Sequence, residues 1–458
     1  MNSCQKKISV TEKNGTNFST SVNVCDAKNA KQSGNGVFNE ANTRTMHLAT
    51  TDLDALLHVI KSSLGTGLLA MPFAFKHAGI IEGLFATIFV GLLCSHGTHL
   101  LVKVSQQMCT VLKKPSLTYS ETVEAVFQTS PHGRLKAQSS LVRKIVNAFL
   151  FLTYYGSNTA YIVIVAATLK EIAKDDLGYD YNVRWYMLIS TLPLLLIGTI
   201  RSMKYLVPFS MLANALLLTG IVFIFYYILQ DLPPITSRNE FKPISNFPIF
   251  FSTVICGLEG IGTILPVENS MKKPQHFLGC PGVLNIAMTI VVSLFTSVGF
   301  FGYWKYGDNV RDSITLNLPP GYIGSTVKLL VALAILFTFG LQMTAVMEVV
   351  WFSAEKKFTP PNRDIAYYVI RGILVVITVL CAVAVPQLGP VISLVGAVGF
   401  STLGLFIPAA VDLICASDRG INWKSFSVWK NLLMMALSIF ALITGSFTSM
   451  RTIITQYT

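Results

Sequence analysis

The chain has 458 residues, 52% of them hydrophobic and only 13% charged, with a mean hydropathy of +0.56 and a formal net charge of +12. Soluble domains carry about 25% charged residues, so a string of soluble domains is excluded. No stretch offers the soluble basic face that a nucleic-acid surface needs. There is also no HExxH, P-loop or partnered GxSxG motif to suggest an enzyme, and no cofactor or metal is expected.

In chain order, residues 1–47 are polar and rich in Asn, Ser, Thr and Lys, and they read as a disordered cytosolic tail. They lack the apolar core of a secretory signal peptide. Residues 48–458 form one transmembrane domain. A helix rises about 1.5 Å per residue, so windows of about 20 apolar residues span a bilayer core about 30 Å thick. Eleven such segments occur, at 53–75, 79–103, 145–169, 185–200, 205–229, 247–268, 282–303, 323–352, 365–385, 388–413 and 427–449. Most Lys and Arg at or beyond their ends, including Lys103, Lys113, Lys114, Arg134, Lys136, Arg143 and Lys144, fall on the side of the tail. That bias places the amino terminus in the cytosol. The fold class is an all-α polytopic membrane protein.

Segment 1 reads HVIKSSLGTGLLAMPF from His58 to Phe73, and segment 6 reads VICGLEGIGTILPVENSMKKP from Val254 to Pro274. Each carries Gly-x-Gly with a proline a few residues on: Gly65-Thr66-Gly67 before Pro72, and Gly260-Ile261-Gly262 before Pro266. The two lie five segments apart and therefore cross the membrane in opposite directions. That is the pattern of an inverted repeat of five plus five helices, with segment 11 added. Unwound backbone at membrane depth is tolerated only where it is buried in protein or lines a wet cavity, and paired broken helices point to a transporter's midplane site. Free N–H groups at such a break suit a carboxylate and free C=O groups suit a cation, so an amino-acid zwitterion uses both.

These same residues, HVIKSSLGTGLLAMPFAFKHAG and GLEGIGTILPVENSMKKP, resemble the proton-assisted amino acid transporters, a branch of the amino acid/auxin permease family. The resemblance runs from about residue 48 to the end. It implies a fold similar to the bacterial leucine transporter and symport of small neutral amino acids with protons. It also implies that Gly65, Thr66 and Gly67 meet substrate opposite the break at Glu259 to Gly262, and that His58 couples protons. Family members can carry a disulfide between outer loops, and the loops after segments 3 and 7 here hold no cysteine.

Candidate substrate-binding residues are Ser63, Gly65, Thr66, Gly67, Gly257, Glu259, Gly260 and Gly262, with Tyr155 and Asn158 of segment 3 and Gln342 and Thr344 of segment 8 within reach of a central cavity. Candidate proton-coupling residues are His58, about two turns inward of the break, and Glu259, with Lys61 as a partner that could hold a gate. Glu268, Glu348 and Asp412 fall near helix ends and are expected to meet headgroups or inner loops. The reading is a secondary symporter carrying amino acids of the alanine, glycine and proline class with protons toward the cytosol, in the plasma membrane or a lysosomal or endosomal membrane. The expected partners are small amino acids, protons and the lipid bilayer. The alternatives are sodium-coupled amino acid transport, or an amino acid sensor that signals to a cytosolic partner with little flux.

Overall fold

A computed structural model describes residues 50–458 except 202, 259, 280, 360, 361, 419–424, 456 and 458, with backbone alone for 203–207, 352, 353 and 356. The tail expected at 1–47 and Glu259 therefore lie outside the described residues.

Apolar length translates directly into helix. Segment 1 is built from Asp52–Ser63, Thr66–Leu69 and Met71–Ala78. Segments 2 to 5 are Ile80–Leu112, Gly133–Leu177, Val183–Gly198 and Met203–Leu229. Segment 6 is broken into Phe247–Leu258 and Ile261–Ser270. Segments 7 to 9 are Val283–Tyr306, Tyr322–Ala354 and Arg363–Ala384. Segments 10 and 11 run Leu388–Asp418 and Phe426–Ile454. No strand occurs among the described residues, whose one β-bridge joins Thr50 to Met271. Among the described residues, nine helical stretches are long and apolar enough to cross a membrane; segment 1 falls short because it is broken, and segment 4 because it has 16 residues.

Segment 3 departs most from its apolar window of 145–169. Its 45 residues extend about 68 Å, more than twice the bilayer core of about 30 Å. The helix therefore continues into water at both ends, where hydropathy carries no signal for it. Between segments 2 and 3 lies a further helix, Tyr119–Thr129, started by a capping box in which Thr118 and Glu121 satisfy each other's backbone N–H. Tyr119 Oη on this helix donates to Leu403 O of segment 10 at 2.7 Å.

The packing has the two-fold character that an inverted repeat requires. Segment 1 packs against segment 6, 2 against 7, 3 against 8 and 4 against 9. Large apolar side chains such as Ile189, Leu192, Leu196, Val222 and Leu380 stay exposed on the outside of the bundle, where lipid replaces water. Segment 10 contains two π-turns, 396–400 and 402–406. In that stretch a Cβ on Gly396 would strike Ser252 O of segment 6, and one on Gly399 would strike Thr153 of segment 3. The π-turns thus seat segment 10 directly against the elements that carry the breaks.

Candidate functional site

Both breaks open where glycine lets helices touch through their backbones. The first half-helix of segment 1 ends with Leu64 in extended conformation, its N–H closing on Ile60 O and Lys61 O at 3.1 and 3.2 Å. Gly65 is extended as well, and helix resumes at Thr66. In segment 6, helix stops at Leu258 and restarts at Ile261, with Gly260 between (φ −106°, ψ 23°). A Cβ on Gly67 would collide with the Gly257 backbone, so the two broken helices meet there main chain to main chain. A half-helix leaves its first N–H and last C=O groups without helical partners. Donors therefore collect at Gly65–Gly67 and at Ile261–Gly262, and carbonyls at Ser62–Leu64.

Between the breaks lies a cavity of about 80 Å³. Ser62, Ser63, Gly65, Thr66 and Gly67 line it from segment 1, and Cys256, Gly257, Gly260, Gly262 and Thr263 from segment 6. Tyr154, Ser157 and Tyr161 of segment 3, Gln342 of segment 8 and Phe400 of segment 10 complete the wall. No charged side chain lines it among the described residues. A cavity large enough for one water needs about 10–15 Å³ on the same water-sized measure, so this one holds a few waters or a very small solute. It is well under the 300–1,000 Å³ usual for drug-sized ligands.

Seven of the ten substrate-site candidates thus meet around one cavity: Ser63, Gly65, Thr66, Gly67, Gly257, Gly260 and Gly262. Glu259 lies outside the described residues. Tyr155 and Asn158 face elsewhere: Tyr155 Oη points to Leu374 O of segment 9 at 3.5 Å, and the fully buried Asn158 has Nδ2 3.9 Å from Met343 Sδ. Residues 154, 157 and 161 face the cavity instead. Their i, i+3, i+7 spacing marks one face of the helix, and this was the available signal. Gln342 reaches the cavity, whereas Thr344 accepts from Arg371 Nη2 at 3.0 Å. His58 sits on the exposed side of its half-helix, and Lys61 donates to Ser210 Oγ at 2.5 Å.

Two of the three carboxylates expected near headgroups are buried in polar networks. Glu268 is 1% exposed and accepts from Gln106 Nε2 at 3.2 Å. Asp412 is 2% exposed, accepts from Asn431 Nδ2 at 2.8 Å and lies 3.4 Å from Lys103 Nζ. The desolvation cost of a buried carboxylate demands such partners. A helix-end position in sequence does not reveal whether another helix covers it.

Polar ties cross the bundle on both sides of the cavity. Toward the start of segment 1, Thr50 N donates to Ser270 O at 2.9 Å, and His276 Nδ1 lies 2.7 Å from Asp52. On the opposite side, Lys76 Nζ donates to Val310 O at 3.0 Å, and three ion pairs tie connecting stretches and helices: Lys242–Asp308 between the stretches before segment 6 and after segment 7, Arg311–Glu171 to segment 3, and Lys328–Asp175 between segments 8 and 3, at 2.8, 2.6 and 2.8 Å.

The chain matches the family described as "Transmembrane amino acid transporter protein" over residues 49–452. Among its relatives is the Drosophila melanogaster "Proton-coupled amino acid transporter-like protein pathetic", 39% identical over 409 residues covering 89% of this chain and 86% of that one. Another is the Caenorhabditis elegans "Probable amino acid transporter skat-1", 25% identical over 427 residues, 89% of this chain and 91% of that one. In fold it is similar to Mhp1, a nucleobase-cation-symport-1 family transporter in a closed conformation, with a TM-score of 0.52, 14% identity and coverage of 92% and 97% of the two chains. With broken helices crossing at a small cavity and a family match along almost its whole transmembrane length, this chain belongs to the transmembrane amino acid transporter family.

Proposed function

We propose that this transporter carries small neutral amino acids of the alanine, glycine and proline class, together with protons, toward the cytosol by alternating access. The observation that carries the reading is the cavity of about 80 Å³ at the joint break, whose described lining carries no charge. Free N–H groups at Gly65–Gly67 and Gly262 suit the substrate carboxylate. Carbonyls ending the first half of segment 1 and the hydroxyls of Ser62, Ser63 and Thr263 suit its ammonium. With no charged group among the described wall residues, a substrate of net charge finds no counter-charge there. The short side of the range is favoured because bulk beyond a methyl or a pyrrolidine ring must displace Tyr154, Tyr161 or Phe400.

Transport then exchanges the two sets of ties. An outward-open state has lost the crossings near Lys76 and Arg311, and an inward-open state those near Thr50 and Asp52. The half-helices rock against segments 3, 8 and 10, which keep the remaining wall. A proton is a sufficient driving ion. A charge crossing 100 mV is worth about 2.3 kcal/mol and a pH unit about 1.4 kcal/mol, so one proton concentrates a neutral solute by roughly two to three decades.

The test is uptake of labelled alanine and proline into liposomes holding the purified protein, first under an inward pH gradient and then under an inward sodium gradient at equal pH. The expected result is accumulation that follows the pH gradient and ignores sodium. Accumulation that needs sodium would replace the driving ion. Alanine binding without uptake under either gradient would overturn transport in favour of a sensor.

A further inference from the structure

Segment 2 presents one continuous face to the outside of the bundle. Phe85, Phe89, Leu92, His96, His99 and Lys103 follow one another at intervals of three or four residues, the spacing of a single helix face. Phe85, Phe89 and Leu92 are exposed, as contact with lipid requires, and His96, His99 and Lys103 are partly exposed. The face therefore turns from apolar to basic as it nears the end where Gln106 meets Glu268. Segment 11 carries a cation at the same level. Its Lys430 is partly exposed, and Phe426, Trp429 and Leu433 are exposed around it.

Segment 10 forms the floor between these two helices. It packs against both, and a Cβ on Gly97 of segment 2 would strike Gly404 O of segment 10 and come within 3.4 Å of Met434 of segment 11. Asp412 of segment 10, 2% exposed, joins the three helices: Asn431 Nδ2 donates to it at 2.8 Å, and Lys103 Nζ lies 3.4 Å away. The rings of His96 and His99 stack with centroids 6.4 Å apart, and the ammoniums of Lys103 and Lys430 lie within Coulombic reach of both. Charge does not balance in this cluster. Two ammoniums share one carboxylate, and Lys430 forms no ion pair among the described residues. Residues 419–424 between segments 10 and 11 lie outside the described residues, and their sequence contains Arg419 and Lys424 and no acid. A cation on the lipid side of a bundle is costly without a partner, so the groove lacks an anion.

We propose that this groove binds an anionic phospholipid, its phosphate between Lys103 and Lys430 and its glycerol esters at the level of His99. The side chains match such a ligand in order of depth. His99 lies one turn, about 6 Å, further into the bilayer than Lys103, and the esters of a phospholipid lie below its phosphate. An imidazole N–H donates to an ester carbonyl. Leu92 and Phe89 continue the same face alongside the acyl chains. Trp429 and Phe426 stand beside Lys430 as aromatic side chains do at a membrane–water interface. A headgroup of net negative charge is favoured over choline because the cluster is itself net positive. Anionic lipids collect in the cytosolic leaflet, the side to which the Lys and Arg bias assigns this end of the bundle. An acidic protein is disfavoured, since the face runs on into hydrocarbon. The proposal depends on neither the substrate nor the driving ion.

The purified protein in detergent is melted with short-chain phosphatidylserine, short-chain phosphatidylcholine or inorganic phosphate. Phosphatidylserine is expected to raise the melting temperature of the wild type by about 3 °C or more at saturation, and the other two to leave it within about 1 °C. In Lys430→Gln the half-saturating phosphatidylserine concentration is expected to rise about fivefold, and in Lys430→Arg to stay near the wild-type value. Lys144→Gln removes an exposed cation from the same side of the bundle on segment 3 and is expected to stay within about twofold of wild type. An equal response to phosphatidylcholine, or a response to inorganic phosphate alone, overturns the lipid site. Equal weakening in Lys144→Gln and Lys430→Gln overturns it as well, because general surface charge then accounts for the binding. If Lys430→Gln does not fold, His99→Gln takes its place with an expected rise of about threefold, and an unchanged concentration overturns the site. Melting needs no transport, so a failure here leaves the amino acid reading standing, and absent uptake leaves the lipid site standing.

Discussion

The two breaks look alike in sequence and are built differently. Segment 1 is interrupted at Leu64–Gly65 and again at Ala70, and its Gly67 is pressed against the main chain of Gly257. Segment 6 is interrupted once, and its Gly262 is covered by a side chain, the phenol of Tyr154. A backbone neighbour cannot give way, but a side chain can turn. The contrast teaches that Gly-x-Gly has no single meaning: one glycine allows two helices to touch, another makes room for a tyrosine, and Gly65 has only an ordinary contact, with Tyr161, beside it.

This ordering fixes the sizes of four effects. The largest belongs to Gly67→Ala. Alanine raises helix propensity by about 1 kcal/mol, so propensity alone would make the variant more stable. The collision with Gly257 has the opposite sign, with overpacking costs of about 1–3 kcal/mol even where neighbours can shift. Alanine uptake in liposomes is expected to fall at least tenfold, and uptake at the wild-type rate would remove the main-chain contact from the account.

Gly262→Ala comes next, with a fall of about fivefold to tenfold. Here the obstacle is movable, so Tyr154→Leu combined with Gly262→Ala is expected to take up more alanine than Gly262→Ala alone. If the double variant is the worse of the two, Tyr154 does more than fill space. Gly260→Ala follows, with a Cβ 3.1 Å from Ser62 Oγ and 3.3 Å from Ser63 Oγ. A loss of about twofold to threefold is expected, relieved by Ser62→Ala, and the check is the Km of alanine counterflow.

The smallest effect is expected at Gly65→Ala. The nearest atom to an added Cβ is Tyr161 Oη at 3.7 Å, an ordinary contact, and the φ of −153° is open to any residue. Uptake of glycine and alanine should stay within about twofold, while proline, the bulkiest of the three, should suffer most. A complete loss at Gly65 would show that substrate backbone, not protein, occupies the space beside it.

Much of the fold was legible because lipid imposes one rule on every segment: about 20 apolar residues, all hydrogen bonds internal. The eleven windows and the two breaks follow from it, and so do seven cavity residues that lie on the breaks themselves. What hydropathy cannot supply is rotation. Segment 3 carries hydroxyls and tyrosines on more than one face between Thr153 and Tyr161, so the spacing of 154, 157 and 161 marks a face without saying that it, and not the Tyr155–Asn158 face, meets the cavity. Depth of cover is equally silent. Glu268 and Asp412 look terminal in sequence, yet both are buried, with partners on segments 2 and 11. Nor could Lys61 be assigned to Ser210 across 149 positions of chain, since that pairing depends on how segments 1 and 5 lean together.

The central claim is that amino acid sits between the two breaks, and the chain carries its own reporter there. Cys256 lines the cavity, Cys381 faces outward, and Cys94, Cys109 and Cys415 are buried. The rate at which a small thiol reagent alkylates Cys256, read by peptide mass spectrometry with Cys381 as internal control, should drop several-fold in saturating alanine. It should be unchanged by lysine or glutamate. Alkylation of Cys256 that ignores alanine, in protein that still transports it, would place the substrate elsewhere and contradict the account.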